Sequence, residues 1–128
     1  MISNLKEKAI TAFVNTFGGS FKKLDPLDVD YRIMDKLGNL IAYAEVRPVP
    51  TIMRYSYPLP VEAKKVVKLI DKRIVPVIIW TCDDGIIYGK ANKIRGEVKW
   101  GSIAPNNNLE LIIYYDKQKD LKYIRFTQ

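Results

Sequence analysis

Apolar and polar positions change their spacing several times along the chain, and each change marks an element. Over SNLKEKAITAFVNTFGG, Leu5, Ile10, Phe13 and Val14 approximate one stripe of helical period, which predicts a first helix. Ser3 or Asn4 can cap it, and Gly18-Gly19 ends it. A short extended segment around FKKL follows. VDYRIMD then alternates, and LIAYAEV is nearly all apolar, with KLGN between them as a turn. A β-hairpin is expected here, its second arm apolar on both faces and therefore central in a sheet.

The next stretch, RPVPTIMRYSYPLP, holds four prolines and predicts an irregular connection. Pro60 suits the first turn of a helix, and VEAKKVVKLIDKR then sets Val66, Val67 and Ile70 against Lys64, Lys65, Lys68 and Lys72. VPVIIWTC reads as a buried strand, DDG as a turn, and IIYGKA as the strand after it. Strand, crossover helix and strand predict a right-handed βαβ unit joined to the hairpin. LELIIYYD and LKYIRF predict two further strands. With no repeat, low-complexity tract or linker, residues 1–128 read as one α/β domain with a mixed central sheet, an N-terminal helix and a crossover helix.

Composition narrows the chemistry. The net charge is +7, which favours polyanionic partners such as nucleic acid, although many small proteins are basic for solubility alone. Histidine is absent, which excludes Ser-His-Asp and Cys-His catalysis, zinc fingers and any histidine base. Catalysis must then rest on carboxylates, lysines, tyrosines or an oxygen-ligated metal. The longest apolar run, around VPVIIW, is far below the roughly 20 residues of a membrane span, so no membrane partner is expected. MISNLKEKAI has no apolar core of a signal peptide, and the single cysteine, Cys82, fits a reducing compartment. A cytoplasmic protein is expected, in the host cytoplasm if it is viral.

The hairpin carries the candidate chemistry. A turn placed symmetrically between Asp35 and Leu40 sets Asp30 opposite Glu45 and Asp28 opposite Arg47, with all four side chains on one face. Carboxylates directly opposed across two strands repel, which calls for something to offset them. A divalent cation can do so, since Mg²⁺ takes one or two carboxylates, a carbonyl and several waters. A salt-bridge cluster in which Arg47 neutralises Asp28 and Glu45 is the alternative. Lys64, Lys68 and Lys72 recur at four-residue spacing with Lys65 beside them, a basic face that could follow a phosphate backbone or simply be solvated. Arg54 and Tyr55 lie on the proline-rich connection as further strand-contacting candidates. GIIYGK has the wrong spacing for a phosphate loop, Asp83-Asp84-Gly85 reads as a hairpin turn, and Trp80 and Trp100 read as core or edge packing.

With LDVDY as the acidic segment, Glu45-Val46-Arg47 after it, and then a helix and VPVIIW, residues 3–91 resemble the PD-(D/E)XK nuclease superfamily, particularly its short phage and archaeal-type nucleases and Holliday-junction resolvases. The resemblance implies a restriction-endonuclease-like core. It also implies a metal-dependent DNA endonuclease of phage-type replication, recombination or repair. Asp30 (with Asp28 as second choice) and Glu45 would hold Mg²⁺ or Mn²⁺, with the Val46 carbonyl as a third ligand. Glu7 matches the first-helix glutamate of many resolvases, and a homodimer fits that group. Arg47 stands where the family has lysine; it keeps the charge but is not deprotonated. A nuclease-fold protein that binds DNA without cutting it, and a non-catalytic α/β interaction module, are the other readings.

Overall fold

A computed structural model describes residues 2–103 and 106–127. Helix α1 (Ile2–Asn15) leads into a meander of β1 (Ser20–Lys23), β2 (Tyr31–Met34) and β3 (Leu40–Pro48). A 3₁₀ turn (Met53–Tyr55), β4 (Leu59–Glu62) and α2 (Ala63–Asp71) carry the chain to β5 (Val75–Thr81). It then continues through β6 (Gly85–Lys90), β7 (Glu97–Ile103), β8 (Asn106–Tyr115) and β9 (Lys122–Arg125).

Two sheets result. The larger has the order β1-β2-β3-β5-β6-β9 and is mixed: β3 and β5 run parallel and the other neighbours antiparallel. The smaller has the order β4-β8-β7. The expected α/β class, mixed sheet, N-terminal helix and crossover are therefore present. So is the expected place of the second hairpin arm, since β3 lies between β2 and β5.

Each face of the larger sheet has its own core. On one face, Ala9, Ile10 and Val14 of α1 pack on Tyr31, Ile33, Ala42, Ala44, Val46, Val77 and Ile79. The alanines at 9, 42 and 44 are fully or nearly fully buried, and their small side chains let the helix backbone approach the sheet. On the other face, Val66 and Leu69 of α2 and Leu59 and Val61 of β4 pack on Ile78, Trp80 and Ile87. The Trp80 Nε1–H donates to the Pro60 carbonyl at 2.8 Å, and its ring meets Tyr115 edge-on at 5.5 Å. One side chain thus fastens the smaller sheet to the larger. Its truncation to alanine would cost about 3–5 kcal/mol. Among the described residues, no helix is long and apolar enough to cross a membrane.

Four expectations are corrected. Helix α1 starts at Ile2, so Asn4 lies inside it rather than at its cap; the Ser3 side chain is outside the described residues. Pro60 sits in strand β4 instead of a first helical turn, because β4 pairs only with β8 and an edge strand tolerates a residue without an N–H. Strand β7 was not expected. Finally, the buried residues of α2 are Val66 and Leu69, whereas Val67 and Ile70 are exposed.

Candidate metal centre at the parting of β2 and β3

The turn that joins the two arms is built by Asp35, whose Oδ1 accepts the N–H groups of Leu37 and Asn39, both at 2.9 Å. Gly38 takes φ +85°, the left-handed conformation such a turn requires. The register this sets pairs Tyr31 with Ala44 and Ile33 with Ala42, in the alignment expected from the sequence, with a bulge at Met34. Continued by one residue, it brings Asp30 to Glu45.

Asp30 lies just before β2, where the pairing to β3 stops. Its Oδ2 accepts the Val46 N–H at 2.8 Å in place of a strand partner. In an extended strand the N–H and C=O of one residue project to the same edge, so the Val46 carbonyl faces this opening too. The Val46 side chain is buried in the core beneath α1, and by alternation Glu45 projects to the α2 side. The Glu45 side chain is almost wholly buried and within hydrogen-bonding reach of Asp30. Burial first, then the Asp30 charge, pushes the Glu45 carboxyl up to about 7, against the opposing pull of Lys65.

Two lysines meet this pair from opposite faces of the sheet. Lys6 of α1 reaches Asp30 at 3.2 Å, and Lys65 of α2 lies 3.3 Å from Glu45 Oε2. Burial alone would lower the Lys65 ammonium; Glu45, Glu62 and Asp30 outweigh it and raise its pKa. The Lys65–Glu45 contact is a charge contact without hydrogen-bond alignment, and Glu45 Oε2 is left buried with no hydrogen-bond partner.

The other candidates separate from this corner. Arg47 lies on β3 two residues past Glu45, but its Nε stands 3.2 Å from Glu62 Oε1, so it neutralises neither Asp28 nor Glu45. Asp28 is taken by Lys72 at 2.7 Å and accepts the Val29 N–H; these bonds hold its carboxyl below the usual range. Lys68 donates to the Leu27 carbonyl at 2.6 Å, so Lys68 and Lys72 fasten the segment that delivers Asp30. Lys64 is exposed and 3.5 Å from Glu110. The four lysines therefore do not form one outward basic face: Lys65 turns inward, and the others are engaged within the chain. Glu7 lies on the exposed side of α1, and among the described residues no hydrogen bond or ion pair joins it to Asp30 or Glu45; its neighbour Lys6 reaches the site instead. Arg54 lies over the Tyr55 ring on the 3₁₀ turn, in neither carboxylate's contacts.

Lys6 is the site residue that sequence reasoning missed, whereas Lys65 was expected on a phosphate-facing helix surface and stands at Glu45 instead. A signal for Lys65 existed. On a helical wheel it flanks the Val66–Leu69 stripe, whereas Lys64 and Lys68 fall well away from it. Lys6 had no comparable signal, because its role depends on how α1 crosses the sheet.

Among the described residues no group of three or more His, Cys, Asp or Glu side chains could hold a metal. Two carboxylates and a strand carbonyl nevertheless make a set that Mg²⁺ accepts, since it keeps several waters. The buried Glu45 Oε2, which has the Lys65 charge beside it but no hydrogen-bond partner, is the atom of this corner that most calls for a ligand. Comparison with protein-family models, with curated proteins and with solved structures finds no match to this chain.

Proposed function

We propose that this protein is a metal-dependent DNA nuclease that hydrolyses phosphodiester bonds, with Asp30, Glu45 and Lys65 at its centre. The observation that carries the proposal is the contact of two carboxylates, one nearly fully buried, at the unpaired edge of β3, with a lysine ammonium 3.3 Å from the buried one. Like charges brought together in a buried place are destabilising, and a strongly perturbed carboxyl beside a specific charge partner marks a candidate functional site. The element order supports the same reading: helix, three-stranded meander, crossover helix and parallel strand, with acids at the second and third strands, resemble the restriction-endonuclease-like core.

In this reading Asp30, Glu45 and the Val46 carbonyl hold Mg²⁺ or Mn²⁺. Such an ion lowers the pKa of a bound water and stabilises charge on the scissile phosphate. Lys65 orients the attacking water and supplies positive charge beside the phosphate. It takes the place the sequence offered to Arg47, which Glu62 holds. An ammonium suits that task better than a guanidinium, being a compact point charge with freely rotating donors. Lys6 holds the Asp30 carboxyl from the α1 side, and the Val46 N–H fixes its Oδ2.

The test is cleavage of labelled linear duplex, single-stranded and four-way-junction DNA with Mg²⁺ or Mn²⁺, beside Glu45→Ala. Cutting by the wild type that the variant lacks supports the nuclease. Gel shifts without cutting, unchanged in the variant, would mean a nuclease-like fold that binds DNA only; neither cutting nor binding would leave an interaction module.

A further inference from the structure

A second site stands on the α2 side of the larger sheet, away from the carboxylates. Arg47, Trp80, Ile87 and Tyr123 are successive lateral neighbours across β3, β5, β6 and β9. With strands spaced about 4.8 Å, Tyr123 lies roughly 16 Å from Glu45. There a cavity of about 270 Å³ opens between the 3₁₀ turn and β9; Arg54, Tyr57, Asp84, Lys117, Tyr123 and Arg125 are among the residues that line it.

Its charges are unbalanced. Asp84 is the lining carboxylate, and it is already occupied: Oδ1 accepts the Met53 N–H at 2.8 Å, and Oδ2 stands 3.5 Å from Arg125. Among the described residues, neither Arg54 nor Lys117 has a carboxylate partner. Two tyrosine rings, Tyr57 half-buried and Tyr123 62% exposed, join Met53 and Ile87 as the apolar part of the lining. Cations without a carboxylate partner beside two accessible aromatic rings fit a ligand that is flat and apolar at one end and anionic at the other. Inorganic phosphate would leave the rings unused, and an acidic peptide offers them no flat partner.

The volume decides the size. It lies just below the range of about 300–1,000 Å³ of ordinary small-molecule pockets, a size that suits a single nucleotide unit rather than a base pair. A base within a duplex has both faces stacked and cannot enter. We infer that this cavity binds one nucleotide unit of a single-stranded nucleic acid, the base against Tyr57 and Tyr123 and the phosphate on Arg54 and Lys117. The inference does not depend on Asp30 and Glu45 being catalytic.

The test uses full-length protein carrying Glu45→Gln, in EDTA, so that cleavage plays no part. Fluorescence anisotropy then follows binding of labelled (dT)8 and of a hairpin duplex with the same number of phosphates. (dT)8 should bind at least about tenfold tighter than the duplex. Tyr123→Ala should weaken (dT)8 binding about five- to hundredfold, the range for loss of one stacking platform, while Tyr123→Phe stays within about twofold. Lys117→Gln should weaken binding and lower its salt dependence by about 0.7 in log–log slope, whereas Lys122→Gln, outside the cavity lining, should leave both unchanged. Thymidine monophosphate should displace (dT)8 where inorganic phosphate at equal concentration does not. Tyr123 is exposed, so its variants should fold, and circular dichroism checks that they do. Equal affinity for duplex and (dT)8, full binding by Tyr123→Ala, or equal displacement by inorganic phosphate would each overturn the inference.

Discussion

Glu45 and Arg47 lie two residues apart on β3, yet their surroundings differ in kind. Arg47 meets one carboxylate, Glu62, in a mostly buried ion pair at the seam between β3 and the start of α2, with Lys65 also in the field of Glu62. Glu45 is buried and faces another carboxylate; burial first and the Asp30 charge second raise its pKa, against the pull of Lys65. The Arg47–Glu62 contact joins opposite charges, so it holds no like-charge conflict for a cation to relieve. Two acids in contact, offset by lysines from opposite faces of the sheet, store an electrostatic conflict that a divalent cation would relieve. Position along a strand therefore says little about whether a charge is structural or chemical; its partners decide.

The widest separation between the two positions should appear in activity. Asp30→Asn or Glu45→Gln should reduce DNA cleavage by about three orders of magnitude or more, as expected when the ligands of a metal-generated nucleophile are removed. Arg47→Lys should keep cleavage per folded molecule within about tenfold of wild type. Single-turnover assays on the same substrate make the comparison, and a loss in Arg47→Lys equal to that of Glu45→Gln would collapse the distinction.

Lys65 sharpens the comparison further. Lys65→Met should slow the chemical step about 10²- to 10³-fold, the size of losing one positioned charge at a reacting centre. Lys65→Arg should recover only part of it, because the guanidinium is wider and planar. Duplex affinity measured in Ca²⁺, where cutting does not occur, should change less than about fivefold. A uniform loss of affinity with unchanged cleavage rate would return Lys65 to the role of a backbone contact.

Stability should divide the two positions in the opposite sense. Arg47→Met leaves Glu62 nearly buried and unpaired, which should cost about 3 kcal/mol in urea unfolding. If Arg47→Met unfolds like wild type, the pair is not holding the seam.

Much of this corner is legible in the sequence. The turn residues and the alternation of VDYRIMD fix the hairpin register, and with it the meeting of Asp30 and Glu45. Partners from α2 are not legible to the same degree. Reading Pro60 as a helix start shifts the helix N-terminus by about one turn, and that hides the inward direction of Lys65 and the availability of Glu62. Strand β7 escapes notice for a different reason. Its side chains are largely exposed on both faces, so EVKWGSI carries no buried period for a pattern to reveal. The cavity beside Tyr123 unites residues from the 3₁₀ turn, β6, β9 and the segment before β9, and only the fold brings them together.

The smallest expected effect is the dependence on pH. The folded protein holds the Glu45 proton up to about pH 7, above the usual carboxylate range of the unfolded chain. The contribution is therefore fully present below about pH 4.5 and is lost as pH rises through 7, on the order of 3 kcal/mol over that window, and less if the site relaxes. Wild type should lose stability relative to Glu45→Gln as pH rises from 4.5 to 8, measured by urea unfolding at several pH values. Mg²⁺ at pH 8 should return part of it to the wild type and none to the variant. Parallel pH profiles for the two proteins would mean that Glu45 titrates as an ordinary carboxylate.

The central claim is that the opposed acids hold a metal, and an anomalous-scattering crystal structure with Mn²⁺ tests it most directly. The account predicts one Mn²⁺ peak between the Asp30 and Glu45 carboxylates, within ligand distance of the Val46 carbonyl, and no such peak in Glu45→Gln crystals. An Mn²⁺-soaked wild type with no peak at that corner, and with Lys6 and Lys65 still seated on the two carboxylates, would contradict it.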